Sequence, residues 1–205
     1  MEDELIHILD RQGHLKGVAT RREIHQAGHW HNTFHCWFID QENGRDYIIF
    51  QIRSDQKKDF PGMLDITAAG HILANETVEE GVRELHEELG LDISFEDLTG
   101  IGLIQDRISQ GEFIDNELCS VFLYDSNVAF DRYNLQIEEV SGIVRAELLL
   151  FEKLWAGDID HIAVHGFQIN ELGNQTVLVR QIRKQDIVPH DDRYMDQVIR
   201  AIKHR

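Results

Sequence analysis

Residues Gly70–Leu91 read GHILANETVEEGVRELHEELGL, and this stretch decides what the chain can be. On a helical wheel centred on Glu84, at about 100° per residue, Glu80, Glu87 and Glu88 fall within roughly 60° of it. Val78, Val82, Leu85 and Leu89 gather well to one side of that arc. The pattern predicts an amphipathic helix over 78–89, closed by Gly90 in the left-handed conformation that a helix C-terminus favours. Carboxylates at i,i+3 and i,i+4 repel one another and destabilise a bare helix. Such a cluster opposite a buried stripe makes physical sense as the seat of a hard divalent cation. Mg²⁺ takes oxygen ligands, keeps several waters and shares its coordination with substrate phosphates. A plain solvated acidic face is the alternative. The flanking glycines, and an Arg83 placed to orient Glu84, favour the cation.

The rest of the composition narrows the field. A chain of 205 residues, 42% apolar and 28% charged, is ordinary for one globular domain with a sizeable core. No run of 18 apolar residues is present, so no transmembrane helix is expected. The N-terminus, MEDELIHILDRQGH, is acidic and lacks the basic and apolar regions of a secretory signal. Cys36 and Cys119 are the only cysteines, which fits a reducing compartment and a cytoplasmic location. The formal net charge of −17 argues against a nucleic-acid polymer or an anionic membrane as partner. It leaves room for a small phosphorylated substrate held by a metal ion and a few local cations.

Strands are expected near Leu5–Leu9 and Lys16–Ala19, with a short helix around Thr20–Ala27. Thr33–Ile39 and Tyr47–Arg53 read as a hairpin around Asn43-Gly44. Pro61-Gly62 marks a turn. Further strands are expected near Gly102–Arg107 and Leu118–Tyr124, a helix from about Phe151, and a hairpin of Ile162–Ile169 with Val177–Ile182. A final helix over Asp191–His204 has Asp191 or Asp192 as its cap. Mixed strands with few helices fit an α/β sandwich around a mixed β-sheet. Residues 1–30 supply N-terminal strands to this single domain, and 156–205 form a C-terminal hairpin and helix extension. The segment His161–Arg183 reads equally as a specificity insertion or a dimer surface.

The run Arg83-E-L-H-E-E-L-G-Leu91 resembles the second half of the Nudix box, the signature of the Nudix hydrolases, and Gly70–Glu76 resembles the first half. Six residues separate Glu76 from Arg83, one fewer than the box has. The deletion tightens the loop or first helical turn, keeps Arg83, Glu84, Glu87 and Glu88 in register and leaves the place of Glu76 open. Outside the box, the chain is similar over roughly residues 5–155 to the isopentenyl-diphosphate isomerases. The similarity rests on His31-N-T-F-H-C-W-F-I, Gln51-Ile-Arg53, Lys57, Pro61-Gly62, Gly70-His71 and Asp115-Asn-Glu117-Leu-Cys119, with His25 near the place of a further histidine. In those enzymes the histidines and acids ligate a metal, and the Arg and Lys hold the substrate diphosphate. The isomerases place an essential cysteine before Gly-His, where this chain has Ala69, and they tend to lose the full R-E-x-x-E-E pattern that this chain keeps.

These resemblances imply a Nudix-type α/β/α sandwich and a hydrolase that splits a P–O–P bond in a nucleoside diphosphate linked to a second group, or another organic pyrophosphate. Glu84, Glu87 and Glu88 would bind Mg²⁺ or Mn²⁺, with Gly70 contributing its carbonyl. His31, His71 and Asp115 are further candidate ligands, since imidazole with carboxylate suits Mn²⁺, Zn²⁺ or Fe²⁺. Asp115 and Glu117, two apart on an expected strand, point to one face. Candidates for the general base are Glu87, then Glu117, then Glu138 or Glu139. Arg83 would orient the box, and Arg53 and Lys57 would grip the diphosphate. An isomerase-like enzyme and a non-catalytic nucleotide-binding protein are the alternatives. Phe34, Trp37, Phe113 and Tyr133 are aromatics that can stack on a base, although isolated aromatics more often belong to a core. Nudix-type proteins are often dimers, so a homodimer is open to this chain.

Overall fold

The computed structural model describes residues 3–110 and 113–205, with the backbone alone at 110 and 113. The chain opens with an antiparallel pair, β1 (Leu5–Leu9) and β2 (Leu15–Thr20), followed by α1 (Arg21–Ala27). Thr20 caps α1 in a reciprocal arrangement with Glu23, and Gly28 closes it in the left-handed region. The hairpin of β3 (Trp30–Glu42) and β4 (Arg45–Arg53) turns on Asn43 and Gly44, both with positive φ, as the Asn-Gly pair requires. The short strands β5 (Leu64–Asp65) and β6 (Ala68–His71) lead to α2 (Arg83–Leu89). The long strands β7 (Thr99–Gln110) and β8 (Phe113–Asp125) follow. The remaining elements are β9 (Val140–Glu147), α3 (Leu148–Ala156), β10 (Ile162–Ile169), β11 (Gln175–Ile182) and α4 (Asp192–Lys203).

One mixed sheet joins all these strands. β3 pairs with β8 in parallel, and the other strand pairings among the described residues are antiparallel. Both chain extensions enter this sheet, β1 through Leu9 opposite Trp30 and the C-terminal hairpin through β10 against β9. Alternation along β3 divides the core. Trp37 and Ile39 face α3 and α4 with Phe151, Tyr194 and Val198. Phe34, Cys36 and Phe38 face α2 with Leu85 and Leu89. The result is the expected α/β/α sandwich. No helix among the described residues is long and apolar enough to cross a membrane.

Two boundaries depart from the sequence reading. The helix expected over 78–89 is a 3₁₀ turn at Glu79–Val82 that passes into α2 at Arg83. Three residues per turn in place of 3.6 suits a spacer one residue short. A Cβ on Gly81, inside that turn, would lie 2.8 Å from the Phe34 Cβ, so the tight approach needs glycine. The continuous wheel therefore misplaces Glu80, whose carboxylate accepts from the Thr77 backbone N–H at 2.8 Å. The helix expected from Phe151 begins at Leu148, because Glu147 at its cap makes no side-chain cap bond and so leaves no start signal. α4 matches its expectation, with Asp191 accepting from the Arg193 N–H.

Candidate functional site

Two groups of side chains gather at a cavity of about 260 Å³, which all of them but Glu76 and His31 line. The first is the glutamate box. Gly70, on β6, faces Glu84 on α2 so closely that a Cβ would overlap the Glu84 carboxylate, so glycine is what lets that carboxylate sit against the strand. Arg83 ties the box together. It donates to Glu76 through Nε at 2.8 Å and Nη2 at 3.1 Å, to Glu84 at 2.6 Å, to Glu87 at 2.9 Å and to the His71 carbonyl at 3.1 Å. This settles the place of Glu76: the shortened spacer still brings it to Arg83 as a two-toothed acceptor, which lowers its pKa. Glu88 is buried and accepts from Gln51 Nε2 at 3.2 Å and the Ala69 N–H at 3.3 Å. Burial, then the neighbouring Glu84, pushes the Glu88 carboxyl up to about 8. Burial also raises Glu84, to about 7, against the pull of Arg83. Glu87 stands half exposed at the mouth. Carboxylates crowded and desolvated in this way are suited to a cation that replaces their protons.

The second group is assembled from four elements. His25 comes from α1, His31 from β3, His71 from β6, and Asp115 and Glu117 from β8. The register places His31 beside Glu117, and Thr33 opposite His71 on the other flank of β3. His71 Nε2 lies 3.3 Å from His25 Nε2, and Asp115 Oδ1 lies 3.5 Å from Nε2 of both His25 and His31. Glu117 Oε1 stands 4.0 Å from His31 Nε2. His31 Nε2 and Asp115 Oδ1 are buried and make no hydrogen bond among the described residues. Burial lowers the pKa of His31, and burial with His31 nearby lowers that of His71 well below the usual imidazole value, so both rings carry lone pairs at neutral pH. Burial, then Glu117, raises the Asp115 carboxyl far above its ordinary range. Burial works against Glu117 too, but His35 and then His31 overcome it and hold that carboxyl at about 2.

The unpartnered His31 Nε2 and Asp115 Oδ1, 3.5 Å apart with His25, His71 and Glu117 around them, fit a metal ion. Ligands about 2.1 Å from a common ion stand roughly 3.0–3.5 Å apart. Three imidazoles with two carboxylates suit Mn²⁺, Fe²⁺ or Zn²⁺, and the all-oxygen box suits Mg²⁺ or Mn²⁺.

Arg53 and Lys57, read from the sequence as diphosphate cations, both line the cavity. Arg53 donates to Asp65 at 2.6 Å and twice to the Asp59 carbonyl, and Lys57 pairs with Glu139. Of the two remote base candidates, Glu139 lines the cavity and Glu138 is exposed outside it. The aromatics named for stacking lie elsewhere. Phe34 and Trp37 are fully buried and Tyr133 is packed with Phe167 and Phe130, while the Phe113 side chain lies outside the described residues. The C-terminal extension supplies what the sequence reading missed. His190 sits buried between Asp106, at 2.6 Å from Nδ1, and Asp65, at 2.9 Å from Nε2. Burial would lower its pKa, yet Asp106 and Asp65 raise it to about 10, so the ring is charged and donates from both nitrogens. Asp65 in turn holds Arg53. Partners 84 and 125 residues apart give no local sequence signal.

Residues 29–163 match the model of the NUDIX domain. The chain is 38% identical over 202 residues, 98% of each protein, to an uncharacterized Nudix hydrolase of Clostridium acetobutylicum. It is 31% identical over 150 residues, 70% of this chain and 72% of the relative, to an isopentenyl-diphosphate Δ-isomerase of Saccharopolyspora erythraea. The crystal structure of DR0079 from Deinococcus radiodurans shares the fold, with a TM-score of 0.52 at 20% identity over 75% of this chain and 90% of that one.

Proposed function

The chain belongs to the Nudix hydrolase family, and from that premise we propose a metal-dependent cleavage of the P–O–P bond of a small organic diphosphate, a nucleoside diphosphate linked to a second group being the leading class. The observation that carries this reading is the glycine cradle of the box. Gly70, Arg83, Glu84, Glu87 and Glu88 meet on one wall of the cavity, with Glu76 bound to Arg83. Glu84, Glu87 and Glu88, with the Gly70 carbonyl, would hold Mg²⁺ or Mn²⁺. When bound, the ion supplies charge neutralisation at the phosphoryl oxygens and acidifies water. Arg83 keeps Glu84 and Glu87 turned to one side. Glu87, at the solvent side, is the first choice to take the proton of the attacking water, with Glu117 and Glu139 behind it. Lys57 and Arg53 line the same cavity and would neutralise diphosphate charge. Water forms the new P–O bond, and the bridging oxygen leaves with the other phosphoryl group.

The test is a phosphatase-coupled screen with Mg²⁺ and then Mn²⁺. Its panel holds nucleoside triphosphates, ADP-ribose, nucleotide sugars, dinucleoside polyphosphates and isoprenoid diphosphates. A metal-dependent hit that disappears in Glu87→Gln or Glu88→Gln supports the reading. Silence across the panel with an intact fold overturns it. The isomerase reading is favoured by one observation, the histidine–carboxylate group. It is opposed by Ala69, which offers no proton to an allylic carbon where the isomerases have a thiol. Dimethylallyl diphosphate formed from isopentenyl diphosphate would revive it.

A further inference from the structure

The C-terminal helix touches a residue of the cavity wall, His35, through one side chain. Tyr194, on α4, is fully buried, and its hydroxyl is shared by two partners from β3. Trp37 Nε1 lies 3.0 Å from it and His35 Nδ1 lies 2.8 Å from it. One assignment gives every donor in this chain an acceptor. The indole N–H can only donate, so the Tyr194 oxygen accepts from Trp37. In it the hydroxyl proton goes to His35 Nδ1, the other partner of the Tyr194 oxygen. That leaves a ring N–H on Nε2, which faces Glu117 Oε2 at 3.2 Å. The Cys119 thiol also points at Oε2, at 3.7 Å. Both donors act on one oxygen of Glu117, and Oε1 is left turned to His31.

The start of α4 is fixed independently. His190 is clamped between Asp65 and Asp106, and the Asp191 N–H donates to Asp106 at 2.8 Å. Asp106 lies directly opposite Glu117 in the β7–β8 register. The clamp lies just before α4 and the hydroxyl in its first turn, and the residues they hold, Asp106 and His35, both neighbour Glu117.

We infer that Tyr194 is a positioning residue for the histidine–carboxylate centre: by setting the tautomer of His35 it holds Glu117 with Oε1 toward His31. The inference rests on the reading of Glu117 as a ligand of that centre. It gives the C-terminal extension, which lies beyond the matched domain, a part in the site. Outer-shell partners of this kind typically govern metal affinity by 10–100-fold.

The experiment titrates the full-length protein with Co²⁺ and reads the visible spectrum that imidazole ligation gives, with His71→Ala as the variant that marks this centre. Tyr194→Phe removes one oxygen and keeps the ring. Its expected effect is a Co²⁺ affinity about 10–100-fold weaker with a changed spectrum. Trp37→Phe disturbs the same packing but spares the Tyr194–His35–Glu117 path, and its affinity should stay close to that of the wild type. Among His35 variants, Gln can accept from Tyr194 and donate to Glu117, so His35→Gln should retain most of the affinity that His35→Leu loses. That second pair decides the matter if Tyr194→Phe fails to fold. Wild-type affinity in Tyr194→Phe, or equal losses in His35→Gln and His35→Leu, overturns the inference alone. A wild-type spectrum indifferent to His71→Ala overturns the metal-centre reading, and the inference falls with it.

Discussion

The glutamate box and the histidine–carboxylate centre share one cavity but are built in opposite ways. The box is local: its acids come from one short helix and the loop before it, and Arg83 binds four of the groups that matter. The second centre is non-local, drawn from α1, β3, β6 and β8. Without an ion the box holds protons, because crowding and burial lift Glu84 and Glu88 toward neutral pH. In the second centre burial keeps the His31 and His71 imidazoles neutral. One site is thus matched to a hard, hydrated cation, and the other to an ion that accepts nitrogen. A Nudix hydrolase needs the first. The second stands in a chain that is similar to the isomerases and carries Ala69 before Gly70-His71.

The sharpest way to break this comparison is to disable each centre in turn. Glu87→Gln and, separately, Glu88→Gln should lower kcat by about 10²–10⁴-fold with circular dichroism unchanged. Hydrolysis that survives both changes but disappears in His31→Gln would exchange the roles of the two centres. Next in size is His190→Asn, which leaves Asp65 and Asp106 buried without their cation. Denaturant unfolding should show a loss of about 3–5 kcal/mol. The sign of the pH effect follows from the raised pKa. The stabilisation from His190 is complete below its unfolded value near 6.5 and is lost as pH rises through about 10. Wild-type stability should therefore decline across that window, and the His190→Asn profile should be flatter there.

Gly70→Ala forces the Glu84 carboxylate aside, and a displacement of that kind is expected to lower kcat by about 100-fold with a smaller change in KM. Normal turnover in Gly70→Ala would remove the cradle from the mechanism. The smallest effect concerns the metal-free box. Glu84 and Glu88 have pKa values raised above the unfolded 4.5, so ionising them costs stability as pH climbs toward 7 and 8. Mg²⁺ should raise Tm more at pH 8 than at pH 6, by a few degrees at most, and Glu88→Gln should shrink the difference. A Tm shift that is the same at both pH values would mean that the ion displaces no protons.

Legibility from sequence followed the same division. The box, the Asn43-Gly44 turn and the Asp191 cap are written in neighbouring residues, and the structure bears out both the hairpin and the cap. The switch from 3₁₀ to α at Arg83 was hidden because a wheel assumes uniform winding. The parallel pairing of β3 with β8 brings His31 and Glu117 together over 86 positions of chain, and only the family resemblance suggested it. Nothing suggested His190 and Tyr194. Tyr194 meets His35 across 159 residues, and a histidine or tyrosine in an amphipathic helix or before its cap carries no mark of its partner.

The most direct test of the hydrolytic assignment is cleavage of a diphosphate substrate in ¹⁸O-labelled water, followed by mass spectrometry of the products. Metal-dependent cleavage that places one ¹⁸O in a single phosphoryl product, and that is abolished in Glu88→Gln, is the expected result. Conversion of isopentenyl diphosphate to its allylic isomer with both phosphates intact, and no ¹⁸O incorporated from any diphosphate of the panel, would contradict it.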